Sequence, residues 1–237
     1  MSESPRNRLL SALSPKALEL LTPHCSAVDL PVRTSLYEPE RSPRYAFFLT
    51  SGIASVVTPM SDGGTAEVEV IGHEGLVGSF HLLGSATSPT SCFMQLTGTG
   101  LRIGFAELRK AFHASEEIRS RILELIQQQA LTVSQMAGCN RLHEAEARLS
   151  RWLLMAQDRT QSDVLHLTQE FLAEMLGAQR TTVTTVAGIL QRSGLIEYKQ
   201  GVVRIKDRES LESSACDCYR IARQLYVSLY SKPFRDQ

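Results

Sequence analysis

Thr168-Gln-Glu-Phe-Leu-Ala-Glu-Met-Leu-Gly177-Ala-Gln-Arg180-Thr-Thr-Val183-Thr-Thr-Val186 is the stretch on which the fold of this chain turns. Thr168 is a favourable N-cap, and Glu170 and Glu174 sit early, where the helix dipole favours negative charge. Leu172, Ala173 and Leu176 recur at helical spacing on one face. Ala173 is small enough for two steeply crossing helices to approach closely. Gly177 supplies the permissive backbone of a sharp turn. A second amphipathic set follows in Val183, Val186, Ile189 and Leu190. Two short helices joined by a tight glycine-containing turn form a helix-turn-helix, a unit whose second helix enters the DNA major groove.

The next residues extend the unit. Gly194-Leu-Ile-Glu-Tyr-Lys-Gln-Gly201-Val-Val-Arg-Ile reads as a glycine stop, a short strand, a turn at Lys199-Gln200-Gly201 and a return strand, together a wing. Between Gly177 and Lys206 the charges are Arg180, Arg192, Lys199, Arg204 and Lys206 against Glu197 alone, five minus one or +4, in a chain whose formal net charge is zero. Phosphate neutralisation needs such a local excess rather than a basic whole protein. Gln179, Arg180, Thr181, Thr184 and Thr185 are the exposed candidates for base edges around the start of the second helix. Arg192, Lys199 and Arg204 are expected on phosphates, where they position the domain without specifying sequence.

At 237 residues, 43 % hydrophobic and 21 % charged, the chain has the length of two ordinary globular domains. Apolar runs such as Tyr45–Leu49 fall far short of a membrane span, and Met1–Arg8 lacks the apolar core of a secretory signal. Five cysteines at irregular spacing suit reduced thiols in the cytoplasm. Catalysis is not expected. There is no phosphate loop, nucleophile elbow or His-Glu-x-x-His, and Asp62-Gly63-Gly64 reads as a hairpin turn. The remaining rival is an adaptor whose winged domain binds protein.

The other segments divide in order. Residues 8–22 read as a leading helix carrying Leu9, Leu10, Leu13, Leu18 and Leu21. Residues 28–105 hold short strand candidates at Tyr45–Leu49, Ile53–Val57, Thr65–Ile71, Cys92–Leu96 and Leu101–Ile103, separated by Gly and Pro turns in the manner of an antiparallel barrel or roll. Residues 106–137 are helical with two apolar stripes. One holds Ile118, Ile122, Leu125, Gln129, Thr132 and Met136; the other holds Leu123, Ile126, Ala130, Val133 and Ala137. Two stripes imply a second partner, most simply the same helix of another copy, and the first stripe is assigned to that pairing; the alternative is a large core that wraps the helix. A hinge is expected at Gly138–Asn140, a helix over 141–157 with Leu142, Leu149 and Trp152, and a final helix from about 208 to 230.

Three segments now identify a likeness: Phe47-Phe48-Leu49-Thr50-Ser51-Gly52 with Gly72-His73-Glu74-Gly75-Leu76-Val77-Gly78 in the roll, Leu176-Gly177-Ala178-Gln179-Arg180-Thr181-Thr182-Val183, and Gly194-Leu195-Ile196. With the order of parts, they resemble the Crp/Fnr superfamily of bacterial transcription regulators over nearly the whole chain. The resemblance implies an α+β chain with an N-terminal double-stranded β-helix, the cyclic-nucleotide-binding-like jelly roll, over 1–115. A long dimerisation helix and hinge follow over 116–138, and a C-terminal winged helix-turn-helix over 139–237. It implies a homodimer on an inverted-repeat operator in double-stranded DNA, with RNA polymerase as a further partner and no membrane. Arg180 matches the family Arg that grips guanine O6 and N7. Thr181 stands where well-known relatives place Glu, and Thr185 where they often place Arg, which implies a different half-site.

The roll departs from its relatives. Members that bind cyclic AMP carry Gly-Glu-Leu after the last strand glycine, then Arg-Ser or Arg-Thr; here the counterparts are Gly78-Ser79-Phe80 and Ser88-Pro89-Thr90-Ser91-Cys92. A cyclic phosphate without its guanidinium loses charge-assisted hydrogen bonds, so tight cyclic-nucleotide binding is not expected. Gly78, Ser79, Thr90 and Ser91 remain as an effector pocket for a small anion or polar molecule. No cofactor is assigned. Iron–sulfur sensing needs clustered N-terminal thiolates, and only Cys25 lies there. Cys216-Asp217-Cys218, at i and i+2 of a helix, points its thiols to different faces and suits a metal poorly. Cys92 and Cys139 read as small core residues, with Cys139 also placed to meet oxidants. His73, His81 and His113 are the available axial ligands for haem. Gating by a small effector other than cyclic AMP, constitutive binding with a vestigial pocket, and redox or haem sensing all stay open. Activator and repressor are not separable from the residues.

Overall fold

The computed structural model describes residues 7–61, 64–84, 87–232 and 234. Residues 1–6 and the Asp62-Gly63 part of the expected hairpin turn lie outside the described residues. The chain partitions into two compact units: Met1–Val57 with Glu69–Ala130 and Tyr226–Gln237, and Thr58–Val68 with Leu131–Leu225.

The first unit begins with two single-turn helices, α1 (Arg8–Ser11) and α2 (Pro15–Leu18), and a 3₁₀ turn at Thr22–His24, where one leading helix was expected. Ser14-Pro15 starts the helix afresh: the Ser14 hydroxyl caps Ala17 N and Pro15 takes the first helical position. Asn7 caps α1 and donates its side-chain amide to the Leu49 and Gly75 carbonyls, which ties the segment to the roll.

The roll consists of β1 (Cys25–Leu30), β2 (Ser35–Tyr37), β3 (Tyr45–Leu49), β4 (Ile53–Pro59), β5 (Thr65–Ile71), β6 (Leu76–Val77), β7 (Ser91–Leu96) and β8 (Gly98–Gly104), with a 3₁₀ turn at Ser79–Leu82. Two four-stranded sheets result, ordered β1-β8-β3-β6 and β2-β7-β4-β5. Register is fixed by pairs such as Phe48 with Leu101 and Val56 with Cys92. The crossing at Gly52 and Gly98 admits no side chain, since a Cβ on Gly98 would sit 2.1 Å from the Ser51 carbonyl oxygen. Helices α3 (Phe105–Ala114) and α4 (Glu116–Leu142) follow, parted by an extended Ser115 whose hydroxyl caps Ile118 N. Phe48, Leu76, Ile103 and Leu108 form the core of this unit with Ile118, Ile122 and Leu125 of α4.

In the second unit, α4 does not bend at Gly138–Asn140 as expected. It runs to Leu142 and ends at His143, before Glu144 starts the next helix. Met136 and Cys139, both buried, hold the helix through the glycine, whose flexibility is then not used. The elements that follow are α5 (Ala145–Thr160), β9 (Val164–His166), α6 (Gln169–Leu176), α7 (Arg180–Arg192), β10 (Ile196–Lys199), β11 (Val202–Ile205), α8 (Arg208–Ser214) and α9 (Cys218–Ser228). Leu149, Trp152, Leu153 and Ala156 of α5 are buried, and Trp152 Nε1 donates to Glu67 Oε1 at 2.9 Å. The expected final helix is broken at Ala215, which turns to extended backbone (φ −77°, ψ 152°). Arg208 joins Asp158 of α5 and Tyr219 of α9, at 2.8 and 2.6 Å, and so fastens both pieces to the domain. No helix among the described residues is long and apolar enough to cross a membrane.

Candidate nucleic-acid interface

The helix-turn-helix is built as its residues require. Thr168 Oγ1 accepts from Phe171 N, capping α6. Gly177 ends it in the left-handed region (φ 55°), with Ala178 N bonded to the Ala173 carbonyl at 3.1 Å, the closing bond of a glycine C-cap. Arg148 of α5 donates to the Leu176 carbonyl and satisfies another terminal acceptor. Leu172, Leu176, Val183, Ala187 and Leu190 are buried between the two helices and α5. The wing is β10-β11, extended by β9, and its turn places Gln200 and Gly201 at φ 51° and 76°, the two-residue form that suits a twisted hairpin.

This packing turns one face outward. Gln179, Arg180, Thr181, Thr184 and Thr185 are all exposed around the N-terminus of α7, and Arg192, Lys199 and Arg204 are exposed beyond it. Gln179 makes no side-chain cap, so the first backbone N–H groups of α7 stay open to an anion. None of Arg180, Arg192, Lys199, Arg204 and Lys206 has an ion-pair partner among the described residues. The threonines carry a detail the sequence does not. Thr185 Oγ1 donates to the Thr181 carbonyl at 3.0 Å, and Thr184 Oγ1 lies 2.9 Å from the Arg180 carbonyl. The Thr185 proton points back along the helix, leaving a methyl group and an acceptor lone pair for the groove, whereas Thr184 Oγ1 also lies 3.1 Å from Gln169 Oε1 and its single proton serves one of the two acceptors. Arg180 therefore carries the donors. Tyr198, a residue not singled out from sequence, anchors the wing by donating to the Leu167 carbonyl at 3.1 Å, and burial raises its pKa.

In the roll, the residues assigned to an effector are engaged by protein. Ser79, 1 % exposed beside the left-handed Gly78 (φ 92°), donates to Gln129 Oε1 at 3.0 Å. Thr90 Oγ1 bonds with Tyr37 OH at 3.1 Å and Ser88 Oγ at 2.6 Å, and Ser91 pairs with Val57 in the sheet. Between them stands His81, its ring 5.0 Å from Tyr37 and 6.2 Å from Phe105. Both ring nitrogens are buried with no hydrogen-bond partner among the described residues, and burial lowers the imidazole pKa. A cavity of about 940 Å³ lies elsewhere in this unit, walled by Leu10, Leu18, Ala27, Val28 and Leu101 with Asp29 at its edge.

The stripe of α4 assigned to pairing lies inside the chain. Ile118, Ile122 and Leu125 belong to the roll's own core, and Gln129, Thr132 and Met136 are buried too. Between Ile118 and Ala137 the exposed positions are Leu123, Gln127, Ala130, Leu131, Ser134 and Ala137. The cysteines also differ from expectation. Cys216 lies in the turn after Ala215 rather than on a helix, so Cys216 and Cys218 converge instead of facing apart, and they meet Cys139 of α4 and His143 just past its end. The hydrogen bond between Cys139 and Cys216 holds the Cys216 thiol down to about 7 and pushes Cys139 up to about 12.

A β-roll, a long helix and a winged helix-turn-helix follow one another along the chain. Residues 147–214 match the model of the Crp-like helix-turn-helix domain, and the fold is similar to that of solved Crp/Fnr regulators. A transcriptional regulator of the Crp/Fnr family from Eubacterium rectale superposes with a TM-score of 0.69 at 15 % identity, covering 87 % of this chain and 96 % of its own. The cyclic-di-GMP-responsive global regulator CLP of Xanthomonas campestris gives 0.66 at 18 %, covering 82 % and 100 %. FixK2 of Bradyrhizobium japonicum gives 0.68 at 14 %, covering 81 % and 98 %. No curated protein matches at the level of sequence.

Proposed function

We propose that this protein is a sequence-specific, homodimeric transcription regulator that reads an inverted repeat whose half-sites lie about one helical turn apart. The observation that carries the proposal is that α7 and the wing expose five cations without ion-pair partners among the described residues, one of them, Arg180, at the open N-terminus of α7. Arg180 reads a guanine from that position, Thr184 and Thr185 offer methyl and acceptor contacts, and Arg192, Lys199 and Arg204 hold phosphates.

Pairing uses the exposed stripe of α4. Leu123, Gln127, Ala130, Ser134 and Ala137 follow the alternating four-three spacing of a coiled-coil seam, and the two alanines allow close approach. Cyclic nucleotide plays no part. Ser79 and Thr90 stand where a carboxylate and a guanidinium would be needed, and their hydroxyls are already bonded within the roll. RNA polymerase is the further partner through which a bound dimer acts.

The test is selection of bound sequences from a random duplex pool with purified protein and no added ligand. Enrichment of a two-fold-symmetric site supports a dimeric regulator competent without an effector. Binding that is equal for all sequences and vanishes with salt would leave only a non-specific cation surface and overturn the proposal.

A further inference from the structure

Cys139, His143, Cys216 and Cys218 come from two segments far apart in sequence, and their ligand atoms all lie within 4.8 Å of one another. Cys139 lies in the last turn of α4 and His143 just past its end, four residues on, with His143 N bonded to the Cys139 carbonyl at 3.0 Å. Cys216 arrives from the turn between α8 and α9, and Cys218 is the first residue of α9. We propose that these four side chains form a Cys₃His site for a single zinc ion.

Geometry fits without refolding. A tetrahedral zinc with Zn–S near 2.3 Å and Zn–N near 2.0–2.1 Å requires sulfur pairs about 3.8 Å apart and sulfur–nitrogen pairs about 3.6 Å apart. Cys139 Sγ and Cys216 Sγ are 3.5 Å apart, and Cys218 Sγ lies 3.5 Å from His143 Nδ1. The widest separation needs to close by about 1 Å. The arrangement resembles a closed structural site, with four protein ligands and three of them soft.

The surroundings are those of a metal–thiolate centre rather than of an apolar thiol core. His143 turns Nδ1 to the sulfurs and Nε2 toward Asp217 Oδ1 at 3.7 Å, the carboxylate–histidine arrangement that orients metal-bound imidazoles. Gln135 Nε2 donates to Cys218 Sγ at 3.1 Å. Zinc with three thiolates carries one net negative charge. Arg151, 5 % exposed, and Arg148 both lie within electrostatic reach of Cys139 and Cys216, and neither has a carboxylate partner among the described residues. A buried guanidinium without an anion is costly, and an anionic centre beside it removes that cost. The four ligands also bracket the helix-turn-helix domain in sequence, two before residue 147 and two after residue 214. Zinc there closes the domain at its base, independently of whether or how the domain reads DNA.

The full-length protein, reduced and reconstituted with zinc, is passed through a desalting column and assayed for metal. One zinc per chain is expected, with alkylation of Cys139, Cys216 and Cys218 blocked until a chelator is added. Cobalt in place of zinc should give the intense visible bands of a tetrahedral site together with thiolate charge transfer in the near ultraviolet. Cys216→Ser should lose metal and Cys25→Ser should keep it. Asp217→Asn alters only an exposed carboxylate, so the fold survives, and chelator competition should show zinc affinity about 10–100-fold weaker. Substoichiometric zinc in the folded, reduced protein, a cobalt spectrum without thiolate charge transfer, or an obligate Cys139–Cys216 disulfide would each overturn the site. Unchanged affinity in Asp217→Asn would overturn the orienting role of Asp217, and unchanged affinity in His143→Ala would overturn ligation by His143.

Discussion

Truncating Arg180 to alanine separates base reading from mere attraction to phosphate. Arg180 is exposed and has no ion-pair partner among the described residues, so the free protein loses no internal contact, and its stability should change by less than about 0.5 kcal/mol. On the selected site, a bidentate arginine–guanine pair is worth about 1–3 kcal/mol, and a dimer loses two of them, about 2–6 kcal/mol or a rise of about 30- to 20,000-fold in Kd. Salt supplies the second axis. If Arg192, Lys199 and Arg204 hold phosphates, a dimer makes about six such contacts, and log K should fall against log salt with a slope of about −5.

Arg180→Ala should leave that slope unchanged and erase preference at one base pair in each half-site. Fluorescence anisotropy on cognate and scrambled duplexes, over a salt series, measures both quantities. Equal weakening on both duplexes, with a slope shallower by about 1.8 for the dimer, would falsify base reading and turn Arg180 into a phosphate contact.

Leu123→Arg with Ala130→Arg should give a folded monomer by sedimentation that no longer binds the symmetric site cooperatively; a surviving dimer rejects the exposed stripe of α4 as the seam. The His81 imidazole is buried and its pKa lowered, so it stays neutral in the folded chain while the unfolded chain takes up a proton near pH 6.5. Stability should therefore fall as pH drops below about 6.5 and level off at the lowered folded-state value, and His81→Phe should flatten this part of the profile in denaturant melts. Gly98→Ala forces a methyl group within 2.1 Å of the Ser51 carbonyl oxygen, so thermal unfolding should show a loss of at least about 1–3 kcal/mol, and a neutral result would contradict the close crossing of the strands.

The DNA-binding half was legible because its signals are local. A capping threonine, a turn glycine and an apolar face each act within a few residues, and Thr168, Gly177 and Val183 do what their spacing requires. In the roll, Tyr45–Leu49 and Thr65–Ile71 announce themselves as strands, whereas β2 and β6 are too short to leave a pattern. Ser115 shows how a local signal is missed: a serine followed by two glutamates is a helix start, but it was hidden inside a long helical composition. Gly138 shows the reverse, since a glycine permits a hinge without causing one, and buried neighbours decided the matter.

Burial on α4 could not be read from its two stripes, because periodicity says that a face is apolar and not which partner covers it. The chain's own core took Ile118, Ile122, Leu125 and Ile126, and left Leu123, Ala130, Leu131 and Ala137 outside. A core is stabilised by area removed from water, whereas two helices that pair by close approach need short side chains at the seam. The thiol cluster was hidden for a related reason. Cys216 and Cys218 point apart only if the chain between them is helical, and the break at Ala215 is set by the packing of Arg208 and Tyr219 on Asp158, contacts that no spacing rule contains. Once the turn is made, two residues from each side of the domain meet at four corners, and the chemistry of that meeting follows from the side chains themselves.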